Sequence, residues 1–167
     1  MQLRVLSYQD CEQARIWRND NMSMNRTPYL LTPEMQGKFY HEQVCNRNAN
    51  ARYWGIWKDE VFIGMGEISN IQWENRLGEI GLLMHPEHIG DSTLAIEMIL
   101  EQGFNHLNLE NVFGESYLCN PRLSIWEMVS KRFNANSCYL PCRKFWEGKY
   151  YDSIHFTINK GDWKYGR

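Results

Sequence analysis

Residues 79–104, EIGLLMHPEHIGDSTLAIEMILEQGF, constrain this chain more than any other stretch. An apolar run over 80–84 ends in His85-Pro86, a short turn holds Gly90, and a helical pattern opens at Ser92. A strand, a turn and a helix in that order leave the amides of a helix start exposed, with the positive end of the dipole behind them. Such a place suits an anion, and a pyrophosphate in particular.

The rest of the chain has to supply a body for this segment. At 167 residues it fits one domain, expected to span 1–167, and folding at that size buries about 70% of the unfolded surface. Aromatic residues reach 14%, with seven Trp and nine Tyr, so large rings must fill the core and line a pocket. The formal net charge of −2 argues against a general nucleic-acid binder, which carries a basic excess. No apolar run reaches the ~18 residues of a membrane helix. The segment MQLRVLSYQD lacks the apolar centre of a signal peptide, so a cytoplasmic protein is expected. Of five cysteines, only Cys138 and Cys142 are close in sequence, and no His cluster joins them. No metal site is therefore expected, and free thiols are the reading.

Periodicity gives the element order. Residues 3–6 read as a strand, and Asp10 as the cap of a helix over 11–19. Residues 19–28 are a polar loop, and Thr32-Pro33-Glu34 opens a second helix running to 44 or 45. From Arg52 the period changes to two: strands on either side of Asp59-Glu60 form a hairpin, and residues 75–84 add a third. A helix over 92–105, a strand over 110–118, a helix over 121–131 and two final strands at 137–145 and 150–158 complete the chain. The fold class is α/β (α+β), with one mixed, mostly antiparallel sheet of about seven strands and about four helices.

Glu79 stands out chemically. A carboxylate in an apolar strand needs a partner or a raised pKa, and an amine nucleophile needs a base. Alternation also permits Glu79 to face solvent, and Glu67 in GMGEIS competes for the same role.

Segment 79–104 resembles the acyl-CoA-binding motif of the GNAT N-acetyltransferase family, commonly IGxxxxPExxGxGxGxEA…F. Trp17-Arg18-Asn19 near the end of the first helix, CNPRLSIWEMVSKRF at 119–133 and the hairpin KFWEGKYYDSIHFTINKGDW resemble the ribosomal-protein alanine and aminosugar branch. The resemblance covers nearly the whole chain. It implies transfer of an acetyl group from acetyl-CoA to a primary amine, on a small molecule or a peptide. The pyrophosphate would rest on the backbone of Ile89, Gly90, Asp91, Ser92 and Thr93, with Ser92 capping the helix. Gly81, Leu82 and Leu83 would pair with the pantetheine, and Asn120 would touch the CoA arm. Glu79 would act as base, and Arg18, Asn19, Glu67 and Tyr151 would shape the acceptor pocket. Departures fall on the chemistry. Glu87 stands where the family has a basic or amide residue, Asp91 adds a second carboxylate, and Met128 replaces the Tyr that protonates the leaving thiolate. A thioether cannot donate a proton, which leaves Ser124, Tyr117 or water. An acetyltransferase scaffold that has lost activity, or an unrelated α/β binding domain, are the alternatives. Homodimerisation stays open.

Overall fold

The computed structural model describes residues 1–165. β1 (Gln2–Arg4) leads into α1 (Tyr8–Asp20) and α2 (Pro33–Phe39), and then into the antiparallel meander β2 (Arg52–Lys58), β3 (Val61–Gln72) and β4 (Leu77–Met84). α3 (Ser92–Glu101), β5 (Asn111–Tyr117), α4 (Leu123–Arg132), β6 (Asn136–Trp146), β7 (Lys149–Asn159) and α5 (Lys160–Tyr165) follow. The seven strands form one sheet in the order β1-β2-β3-β4-β5-β7-β6.

Local chemistry explains most boundaries. α1 begins one turn earlier than expected: Ser7 is the cap, its hydroxyl accepting from Asp10 N at 3.1 Å. Asp10 returns the favour to Ser7 N at 2.8 Å, so it is the third residue of a capping box and not the cap. Thr32 caps α2 as expected, with Pro33 in the first turn. Both α2 and α3 end in a π-helical turn, at Tyr40–Val44 and Gln102–His106. The two turns account for the longer helices read from sequence. α5 was not expected, since residues 160–165 carry no apolar repeat; a single ring fixes it. Trp163 is fully buried and packs on Phe104 with centroids 5.2 Å apart.

The main core lies between the sheet and α3 and α4. Ile96, Ile99, Leu100 and Phe104 are completely buried against Ile68, Ile80, Val112 and Phe156. Each such side chain stabilises the fold by about 1.5–3 kcal/mol, so this face is rigid.

Every neighbouring pair in the sheet is antiparallel except β4 with β5, and that pair is brief. Only Leu77, Gly78 and Glu79 match Asn111, Val112 and Phe113. Beyond them β4 stays with β3 up to Gly64↔Met84, while β5 stays with β7 up to Tyr117↔Ser153. Each strand follows its outer partner, so the two separate. The gap between residues 80–84 and 114–117 leaves one edge of β4 without backbone partners.

Candidate active site

The splay opens into a cleft of about 610 Å³, lined by β4, by the ends of β5 and α4, and by α1, α2 and the loop between them. Register places its acids on one face of the sheet. Tyr53, Glu67 and Gly81 are cross-strand partners, as are Ser69 and Glu79, Glu79 and Phe113, and Glu115 and His155.

Glu67 is the most perturbed of these acids. Burial and the charge of Glu79 push its carboxyl up to about 7, against the opposing influence of Arg26 and a hydrogen bond from Tyr53. Its carboxylate lies across β4 because position 81 has no side chain: a Cβ there would sit 2.5 Å from Glu67 Oε1. No salt-bridge partner lies within 4 Å of it among the described residues.

Glu79 is buried, but it is already satisfied. The Arg26 guanidinium pairs with one oxygen, and Asn70 Nδ2 donates to the other at 2.7 Å. Arg26 also donates to the Tyr117 hydroxyl at 3.2 Å and lies 3.7 Å from Glu115. Glu115 is held below the usual carboxylate range: burial would raise it, but Arg143, Ser153 and Arg26 together outweigh that. Glu79, the acid expected to act as base, thus carries a counter-charge from an arginine 53 residues away in sequence, whereas Glu67 carries none.

Arg26 reaches the acids from the α1–α2 loop, which is pinned at several points. Arg18 donates to the carbonyls of Thr27 and Tyr29 at 3.2 and 3.1 Å. Asn19 bridges Leu31, donating to its carbonyl and accepting from its amide, both at 2.9 Å. Arg18 and Asn19 of the Trp-Arg-Asn triplet thus hold the loop that walls one side of the cleft; Arg18 lines the cleft and Asn19 does not. The other anchor is Lys144, buried on β6. Its ammonium donates to the carbonyls of Met22, Ser23 and Asn25, at 3.3 Å for Met22 and 2.6 Å for Asn25. Burial lowers its pKa.

The cleft is also lined by Gly81, Leu82 and Leu83 on the free edge of β4, and by Ser92, Asn120 and Arg122. Asn120 donates to Ser116 Oγ at 3.1 Å and accepts from Arg122 N at 2.9 Å, fixing the turn into α4. The loop before α3 is not the open cradle expected. Pro86–Asp91 forms a 3₁₀ helix, in which His88 N bonds His85 O and Ser92 N bonds Ile89 O. Ile89, Gly90, Asp91 and Thr93 do not line the cleft. Ser92 does not cap α3: it is buried inside the first turn, and Asp91 holds the cap position without a side-chain cap bond. Asp91 instead accepts from Lys58 Nζ at 2.9 and 3.0 Å, so its charge is neutralised, while Glu87 faces solvent.

Two expected site residues, Ser124 and Tyr151, lie elsewhere, as does Met128 at the position of the family's proton donor. Ser124 is exposed on α4, Met128 is 48% exposed, and Tyr151 stacks with Lys149 on the last hairpin; none lines the cleft. His155, stacked on Phe113, lines a second concavity that shares Arg26, Glu79, Glu115 and Tyr117 with the first. Arg26, Arg122 and Lys144 escaped the sequence reading. Only one signal could have raised Glu67 above Glu79: a glycine opposite a glutamate on neighbouring strands.

The profile of the acetyltransferase (GNAT) domain matches residues 1–123. No curated protein sequence matches the chain. Among solved structures, spermidine N-acetyltransferase from Vibrio cholerae in complex with CoA and spermine gives a TM-score of 0.84 at 20% identity, covering 98% of this chain and 97% of that one. A dodecameric intermediate state of the same enzyme gives 0.79 at 21% identity, covering 97% and 95%. At these identities the likeness concerns the fold.

Proposed function

Because the chain belongs to the acetyltransferase (GNAT) domain family, and so to the acyltransferases, we propose that it transfers an acetyl group from acetyl-CoA to a primary amine on an acceptor carrying one ammonium group in the cleft. One observation carries this reading. Glu67 is the cleft carboxylate without a cation beside it, and its pKa of about 7 suits a base working near neutral pH.

The site fits the donor's shape. The free edge of β4 offers unpaired backbone groups beside Gly81, Leu82 and Leu83, a place for the amide-bearing arm. Acetyl-CoA supplies the activated acetyl thioester; the chain's own residues hold and deprotonate the amine. Glu67, placed over Gly81, takes a proton from the incoming ammonium, directly or through water. The free amine then forms the new C–N bond as the C–S bond breaks. Tyr117, whose hydroxyl already accepts from Arg26, gives its own proton to the leaving thiolate and takes back the second proton that the acylated nitrogen sheds. Holding both reactants in one narrow cleft supplies much of the acceleration.

The acceptor follows from the charge count. The structural neighbours act on spermidine, a polycation. Here two of the three cleft acids are occupied: Glu79 by Arg26, and Glu115 by Arg143, with Nε to Oε1 at 2.9 Å. A single free acid suits a peptide N-terminus or an aminosugar better than a chain of ammonium groups. The 3₁₀ turn, with the His88 and Ser92 amides already bonded, favours a second reading, an acetyltransferase fold that no longer takes CoA. Thiol release should be followed with acetyl-CoA and a panel of peptides, aminosugars and polyamines between pH 6 and 9. Turnover of monoamines that rises through pH ~7 supports the proposal. Turnover of polyamines alone would overturn the acceptor reading, and no turnover or CoA binding would leave the second reading.

A further inference from the structure

The loop that should meet the pyrophosphate carries no available cation. Glu87 is exposed, and both Lys58 and His88 are engaged with Asp91, at 2.9 and 3.4 Å. A doubly charged pyrophosphate held only by amides would be weakly bound, so charge must come from another element.

We propose that Arg122, at the entrance to α4, is the phosphate-recognising cation of this chain, taking over the role that the loop before α3 has lost. The inference rests on the reading that the cleft takes acetyl-CoA. Three observations carry it. First, Arg122 lines the cleft together with Ser92 and Asn120. Second, its guanidinium donates to Met84 O at 3.4 Å, which locates it at the carboxyl end of β4, where the chain enters the 3₁₀ turn and α3. That is the corner toward which the dipole of α3 also points its positive end. Third, among the described residues it is the cleft arginine with neither an acid within 4 Å nor several acceptors around its guanidinium. Arg15 pairs with Glu12, Arg26 with Glu79 and Glu115, and Arg18 is held by loop carbonyls and the Tyr29 ring. Arg122 has no acid within 4 Å among the described residues, and its one side-chain acceptor is at the limit of hydrogen bonding.

A partly buried cation without an anion is unfavourable, and burial alone lowers its pKa. Arginine stays charged regardless, so an anionic ligand is what completes the site. The backbone that carries the side chain is also set in advance. Asn120 accepts from the Arg122 amide at 2.9 Å while donating to Ser116, so the turn that carries the guanidinium is fixed before any ligand arrives. Two oxygens of a pyrophosphate match the guanidinium fork.

Calorimetric titration of the full chain and of Arg122→Gln with CoA, dephospho-CoA and pantetheine tests this. Arg122→Gln should weaken CoA and dephospho-CoA alike, by about 10- to 100-fold as expected for a charge-assisted contact, and leave pantetheine unchanged. Arg122→Lys should recover part of the loss, since the charge returns without the fork. Equal weakening of all three ligands would mean a structural role and overturn the proposal. Weakening of CoA but not dephospho-CoA would place Arg122 on the 3′-phosphate and overturn the pyrophosphate assignment. Unchanged binding in the variant would also overturn it. If the unmodified protein binds none of the three, the acetyl-CoA reading fails, and this inference fails with it.

Discussion

Replacing Glu67 by Gln should make the protein more stable and less active, and the first effect should depend on pH. In the unfolded chain this carboxyl titrates near 4.5, whereas in the fold it titrates at about 7. Below pH 4.5 both states hold the proton and the residue has no effect. Between the two values the unfolded chain releases it and the folded chain keeps it, so stability falls as pH rises. Above about 7 the loss is complete, at about 3 kcal/mol for a shift of this size. Gln carries no charge to desolvate and still accepts from Tyr53, so the variant avoids the loss. For a chain of this length each kcal/mol moves the midpoint by about 2–4 °C, giving a gap of about 6–12 °C at pH 8 that closes toward pH 4.5. Activity should move oppositely, falling about 10²–10⁴-fold with loss of the rise near pH 7. Thermal melts and kcat/KM profiles of both proteins across pH 4.5–8.5 provide the assay. A gap that is absent, or the same size at both ends of the range, would refute the account of burial at Glu67. Full activity in the variant would refute its role as base.

Arg26→Ala should leave Glu79 buried beside Asn70 alone, costing on the order of 2 kcal/mol because the arginine is half exposed. Since Arg26 holds the Glu67 pKa down, the rise in activity with pH should move to higher pH, and polyamines should become better acceptors. A pH profile and an acceptor screen check both. Gly81→Ala would place a methyl 2.5 Å from Glu67 Oε1 and displace the carboxylate; activity should collapse while stability changes by about 1–3 kcal/mol, read from paired kinetics and urea melts. Lys144→Met should free three loop carbonyls, destabilise the fold by about 2 kcal/mol and raise the KM of the acceptor more than that of the donor.

The α/β class, the β2–β3–β4 meander, the helix after Gly90 and the paired acids at 67 and 79 are all written locally. Alternation and capping depend on residues a few positions apart, so a one-dimensional reading can see them. The same locality explains the misses. Residues 160–165 form a helix because Trp163 finds Phe104, 59 positions earlier, and no repeat within the segment announces it. Which glutamate is free depends on Arg26, and where Arg26 sits depends on Lys144, 118 residues further along, bonding the loop at Met22 and Asn25. The partner of Asp91 is likewise tertiary, since Lys58 reaches it from β2. Sequence alone determined the elements, their order and the kind of chemistry, because helix and strand periods and residue types are properties of neighbours. Tertiary structure decided which cleft acid is left without a cation and where the cleft carries unpaired charge, because a buried charge is set by whatever folding brings beside it.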